Sequence, residues 1–123
     1  MIDTTFRPTL YLLDPCPFCF KVRVFLLEAG LTDEVEIRSF AQGEEMDAVR
    51  AELSPHLSKV TFPAAELEPG RFVADSDEII AFLAERFGSD PASMPNLRVY
   101  SDGPLRQTVT LFQENQALKA SAA

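Results

Sequence analysis

Cys16 and Cys19 are the only cysteines in this 123-residue chain, and just Pro17 and Phe18 separate them. A thiol attacks as its thiolate, and the anion is favoured at a helix N-terminus, where free N–H groups and the peptide dipoles converge. Pro17 suits the first turn of a helix because its missing N–H would have no partner there. Cys16 is thereby placed at the helix start. Cys19 lies one turn later on the same face, within disulfide reach but more shielded. The pair reads as an attacking thiolate, Cys16, with a resolving thiol, Cys19. Cys16 is expected to titrate well below the usual thiol value of about 8.5, and Cys19 is not. Lys21 and Arg23 on the same helix add positive potential as secondary contributors.

Two other uses of the pair stay open at this level. A zinc site normally takes four ligands, and only His56 could join the cysteines, so one chain leaves it incomplete and no metal is expected. Free cysteines can also simply pack as small apolar groups. The prolines on either side of Cys16, Pro15 and Pro17, argue against plain packing.

Positioning this pair calls for a strand before it and a helix after it. Residues 9–13 form a short apolar run stopped by Asp14-Pro15, which suits a buried parallel strand. Residues 17–29 carry Phe18, Val22, Phe25, Leu26 and Ala29 on one helical face and Phe20, Val24 and Leu27 on the other, which predicts a largely buried helix closed by Gly30. Residues 35–40 alternate like a half-buried strand, and residues 44–53 place Met46, Val49 and Leu53 at helical spacing. Residues 62–67 and 71–74 flank Glu68-Pro69-Gly70 as a hairpin. A last helix starts at Asp75 or Ser76 and runs to Gly88, with Asp75 and Glu78 spaced as a capping box. The order βαβαββα is compatible with one compact α/β sheet under the rules for short, right-handed connections. Residues 89–104, rich in Pro, Ser, Asp and Gly, read as a linker. Residues 105–119 read as a weaker amphipathic helix through Leu105, Val109, Phe112 and Leu118.

Composition narrows the function classes. The length suits one domain able to bury roughly two-thirds of its unfolded surface. With 46% hydrophobic and 24% charged residues the chain is in the globular range, and its apolar runs are too short to cross a bilayer. A net charge of −8 argues against nucleic acid, whose phosphates need a cationic surface. Residues 1–6 carry an acid and two threonines where a secretory leader would place basic residues, so the cytoplasm is the expected compartment. A close cysteine pair there points to catalytic, redox-sensing or metal-binding use rather than a structural crosslink.

The residues Leu10-Tyr11 leading into Cys16-Pro17-Phe18-Cys19, then Lys21-Val22-Arg23 with Phe25-Leu26, Thr61-Phe62-Pro63, and Asp75-Ser76 followed by Ile79-Ile80 and Phe82-Leu83, resemble the glutaredoxins. They resemble more closely the N-terminal domain of glutathione transferases with a cysteine active site. The resemblance covers residues 8–88 and implies a thioredoxin-like domain over 7–88 with a mixed four-stranded sheet, followed by a helical extension over 89–123. It implies glutathione as co-substrate, a cis Pro63 packed against the cysteine turn, and a Phe62 backbone that meets the cysteinyl unit of glutathione. It assigns Asp75 and Ser76 to the γ-glutamyl end and Lys59 to the glycyl carboxylate. Helix capping by Asp75, Ser76 and Asp77 is the purely structural alternative. The function implied is glutathione-linked thiol–disulfide exchange, with a cysteine-type transferase or isomerase and a non-enzymatic glutathione- or partner-binding module as alternatives. Full transferases continue into an all-helical domain. Residues 89–123 supply one amphipathic helix, suited to covering an apolar face or to pairing with a second copy in a homodimer.

Overall fold

The computed structural model describes residues 6–122; the first five residues, which bear on the reading of a leader, and Ala123 lie outside that description. Strand β1 (Thr9–Leu13) is central, with β2 (Glu36–Phe40) parallel on one side and β3 (Ala64–Glu68) antiparallel on the other; β4 (Arg71–Val73) completes the order β2-β1-β3-β4. This is the mixed four-stranded α/β sheet of a thioredoxin-like domain. Strand β3 starts two residues later than its apolar pattern suggests, at Ala64, because Pro63 has no N–H to give to the ladder.

The pleat of β1 sorts its side chains to two layers. Leu10 and Leu12 enter the core shared with helices α1 (Pro17–Ala29) and α3 (Ser76–Phe87), whereas Tyr11 enters the core under α2 (Glu44–Leu53) with Phe40, Val49 and Leu53. Val22, Phe25 and Leu26 bury one face of α1 against Ile79 and Leu83 of α3. The other face departs from the expected largely buried helix: Phe20 and Leu27 are exposed. Gly30, at φ +71°, ends α1 by turning the chain left-handed, so that the Leu31 N–H reaches back to the Leu26 carbonyl at 2.8 Å.

Residues 89–104 are not a linker. They hold a 3₁₀ turn (Pro91–Ser93), helix α4 (Pro95–Tyr100) and a wide π turn (Ser101–Leu105), which leads into α5 (Arg106–Ala122). The residues that suggested a loop are the helix starts. Asp90 caps the 3₁₀ turn by accepting from the Ala92 N–H at 3.1 Å, and Pro91 and Pro95 occupy first-turn positions. Helix α4 lacks a cap from its own segment. Glu28 of α1 supplies one, its carboxylate accepting from the N–H groups of Asn96 at 2.8 Å and Leu97 at 2.7 Å. Met94 and Leu97 then join the main core, and Leu105 is buried as well. Helix α5 starts one residue later than expected, runs three residues further and buries none of its described residues.

Candidate active site

The chain leaves β1 at Leu13, turns at Asp14-Pro15 with the Asp14 N–H on the Phe40 carbonyl at 2.9 Å, and enters α1 at Pro17. Cys16 is the N-cap residue, extended at φ −117° and ψ 117°. Its Sγ takes the part a serine hydroxyl plays at many helix starts, accepting from the Cys19 N–H at 3.3 Å. In its thiol form Cys16 faces the carbonyl of Phe62, 3.7 Å away, which brings the loop before β3 against the cysteine turn. The Phe62-Pro63 peptide bond is cis, and Pro63 is buried beneath it. Both thiols are free, Cys16 half-buried and Cys19 fully buried.

These contacts split the two thiols. Hydrogen bonding from the Cys19 side chain, and then from the N–H groups of Cys19 and Phe18, lowers the Cys16 pKa from 9.0 to about 6 against the opposing effect of burial. The same pairing raises Cys19, and burial together with the nearby Cys16 charge pushes it further up. The helix-terminal effect expected from the sequence thus resolves into individual donors. Lys21 and Arg23 are engaged elsewhere: Lys21, its side chain only 16% exposed, pairs with Asp77 of α3, and Arg23 meets Ser39 at 2.5 Å and Asp14 at 3.7 Å. Arg23 acts on Cys19 rather than Cys16.

A pKa of about 6 sets a pH profile. Alkylation of the folded protein by iodoacetamide should be nearly flat above pH 7 and fall about tenfold per pH unit well below the midpoint, as the thiolate is protonated. A rate still climbing at pH 8 would mean that the sulfur is an ordinary thiol.

The remaining expected residues divide. Asp75 caps α3 by accepting from the Glu78 N–H at 3.0 Å through one carboxylate oxygen, so the structural alternative is realised in this structure. Ser76 is buried in the first turn, and the Lys21–Asp77 pair ties that turn to α1. Lys59 is exposed, with no contact that brings it to the cysteine turn among the described residues. His56 stacks on Phe72, ring centroids 4.1 Å apart, rather than approaching the cysteines. One neighbour was missed. The Tyr100 hydroxyl donates to the Pro17 carbonyl at 2.6 Å, and its ring meets the edge of Phe20 at 5.1 Å. Its signal was the spacing of Leu97 and Tyr100 after Pro95, one helical turn inside a stretch whose composition suggests a loop.

The family described as Glutathione S-transferase, N-terminal domain, matches residues 15–86, more than half of the chain. The chain belongs to this family. Among solved structures it is similar to a glutathione S-transferase from the Antarctic clam Laternula elliptica, with a TM-score of 0.51 and 18% identity over 73% of this chain and 37% of that one. It is also similar to glutathione transferase Omega 2C from Trametes versicolor, with a TM-score of 0.50 and 27% identity over 67% of this chain and 38% of that one. The chain therefore spans less than two-fifths of the length of these transferases. No curated protein matches it. The family match covers the cysteine turn, the Phe62-Pro63 bond and the first turn of α3.

Proposed function

We propose that the protein is a glutathione-linked thiol–disulfide oxidoreductase in which Cys16 is the nucleophile and Cys19 the resolving thiol. The observation that carries this reading is the split between a half-exposed sulfur acidified to about 6 and a buried partner held as a thiol beneath it. Cys16 attacks the glutathionyl sulfur of a glutathione mixed disulfide, forming a Cys16–glutathione disulfide and releasing the other half as a thiolate. Two routes then regenerate the enzyme. In one, a glutathione thiolate attacks the glutathionyl sulfur, giving oxidised glutathione and the free Cys16 thiolate. In the other, Cys19 loses its proton and attacks the Cys16 sulfur, expelling glutathione thiolate and leaving a Cys16–Cys19 disulfide that two further glutathione molecules reduce. Cys19 is protected until it is needed. The hydrogen bond and charge that raise its pKa both come from Cys16, and both disappear once Cys16 is in a mixed disulfide, leaving burial alone.

Glutathione binding in this reading places the cysteinyl unit along the Phe62 backbone, the γ-glutamyl carboxylate at the first turn of α3 with Ser76, its amino group at Asp75, and the glycyl carboxylate toward Lys59. The direct test is reduction of a small glutathione mixed disulfide coupled to glutathione reductase, with intact-mass analysis of the protein quenched in mid-reaction. Turnover with one glutathionyl adduct mapped to Cys16 is expected, and absence of both would overturn the assignment. The family match also favours a second reading, in which the Cys16 thiolate serves a transferase or isomerase acting on small electrophiles. Glutathione conjugates without disulfide reduction would select it, whereas bound glutathione with no turnover would select a binding module.

A further inference from the structure

Tyr100 lies outside the segment matched to the family and yet touches the peptide next to the nucleophile. We propose that Tyr100 is a positioning residue for Cys16: by donating to the carbonyl of the Pro17–Phe18 peptide, its hydroxyl strengthens the Phe18 N–H that serves the Cys16 thiolate. The role rests on Cys16 acting as a thiolate, as proposed above.

The argument begins with the peptide unit. The Pro17 carbonyl and the Phe18 N–H are the two ends of one planar, conjugated amide. A donor on the oxygen draws electron density toward it and leaves the N–H more positive, so hydrogen bonds in series reinforce one another by about 10–30% each. At 2.6 Å the contact is short for an O–H···O bond. Its donor is held on both sides. Phe20 packs edge-on to the Tyr100 ring, and the Glu28 carboxylate fastens the start of α4 to α1. At the other end of the relay, the Phe18 N–H is one of the backbone donors that favour the Cys16 anion.

Charge in the neighbourhood acts in the same direction. Cys16 and Cys19 of α1 are the titratable groups that face Tyr100, and burial followed by their negative charge raises the phenol pKa. The phenol therefore keeps its proton through the neutral range in which Cys16 is already ionised, the state in which a donor is wanted. Cys19 is the titratable group acting on Cys16 from within α1, while the positive charge of Lys21 is paired with Asp77 from α3 and that of Arg23 with Asp14.

The experiment compares thiolate titrations of the full chain, the Tyr100→Phe variant and the Tyr100→Leu variant by ultraviolet absorbance, with thermal melting alongside. Tyr100→Phe keeps the ring against Phe20 and is expected to raise the Cys16 pKa by about 0.3–0.5 unit, which is about a two- to threefold slower alkylation below the midpoint, with little change in melting temperature. Tyr100→Leu should give the same pKa rise together with a lower melting temperature. A pKa that moves only in Tyr100→Leu would make the effect one of packing and overturn the proposal. The reciprocal measurement uses phenol titration, with Tyr100→Phe as reference because the chain has only two tyrosines. Capping Cys16 as the neutral carbamidomethyl derivative should lower the Tyr100 pKa, and an unchanged value would also overturn it. If the unmodified protein itself titrates as an ordinary thiol, the thiolate reading of Cys16 falls and takes this role with it. A low midpoint that Tyr100→Phe leaves in place overturns the role of Tyr100 alone.

Discussion

Cys16→Ser is expected to reduce glutathione-coupled disulfide reduction by at least about a thousandfold, because a serine hydroxyl is not ionised near neutral pH and cannot form the mixed disulfide. Cys19→Ser should keep activity within about tenfold of the parent, since glutathione itself can release the mixed disulfide from Cys16. The structure adds a further distinction at Cys19. Its side chain gives Cys16 the largest acidifying contact, and a serine hydroxyl preserves a donor there whereas alanine does not. Cys19→Ala should therefore raise the Cys16 midpoint by about one unit while Cys19→Ser leaves most of the shift intact. Steady-state assays on the three variants, with alkylation profiles of the two Cys19 variants, decide the matter. Activity surviving in Cys16→Ser would remove the nucleophile assignment, and equal loss in Cys16→Ser and Cys19→Ser would require obligatory dithiol exchange.

A chain ending at Gly88 should lose most of its stability, although the family match ends at residue 86. Such a truncation strips Met94 and Leu97 from the main core, removes buried Leu105, and leaves the Glu28 carboxylate without the two N–H groups it holds. Burial of three such side chains is worth about 5–9 kcal/mol, comparable to the total stability of about 5–15 kcal/mol of an ordinary domain. Either no cooperative melt or a midpoint lowered by at least about 15 °C is expected in calorimetry. A chain ending at Leu105 loses only α5, which buries none of its described residues, and should melt within about 3 °C of the parent. If the two truncations melt alike, residues 89–105 are not part of the core.

The contrast between residues 9–30 and 89–104 shows where sequence reading succeeds. Around Cys16 every local signal points the same way: an apolar strand, a turn at Asp14-Pro15, Pro17 at the first helical position and Gly30 at the end, all of them realised. In 89–104 the same residue types mark helices so short that starts and ends outnumber the interior. Asp90, Pro91 and Pro95 are capping and first-turn residues that look like a loop when no long periodic segment follows. The cap of α4 comes from Glu28, 68 positions earlier, and no local pattern can reveal it. The acidity of Cys16 was legible as a helix-terminal effect, but the engagement of Lys21 by Asp77 depends on how α1 and α3 meet. Tyr100 escaped notice for the same reason as α4.

The π turn at Ser101–Leu105 lets the backbone pass Pro104 and remain helical into α5, whose Leu111, Phe112 and Leu118 are 64%, 62% and 68% exposed. With α4 seated on the core, the unfavourable first turn of that long helix is already formed, and later residues need only propagate it. Order in the outer turns of α5 is thus borrowed from the root at α4, because none of its described residues is buried to hold the helix in place.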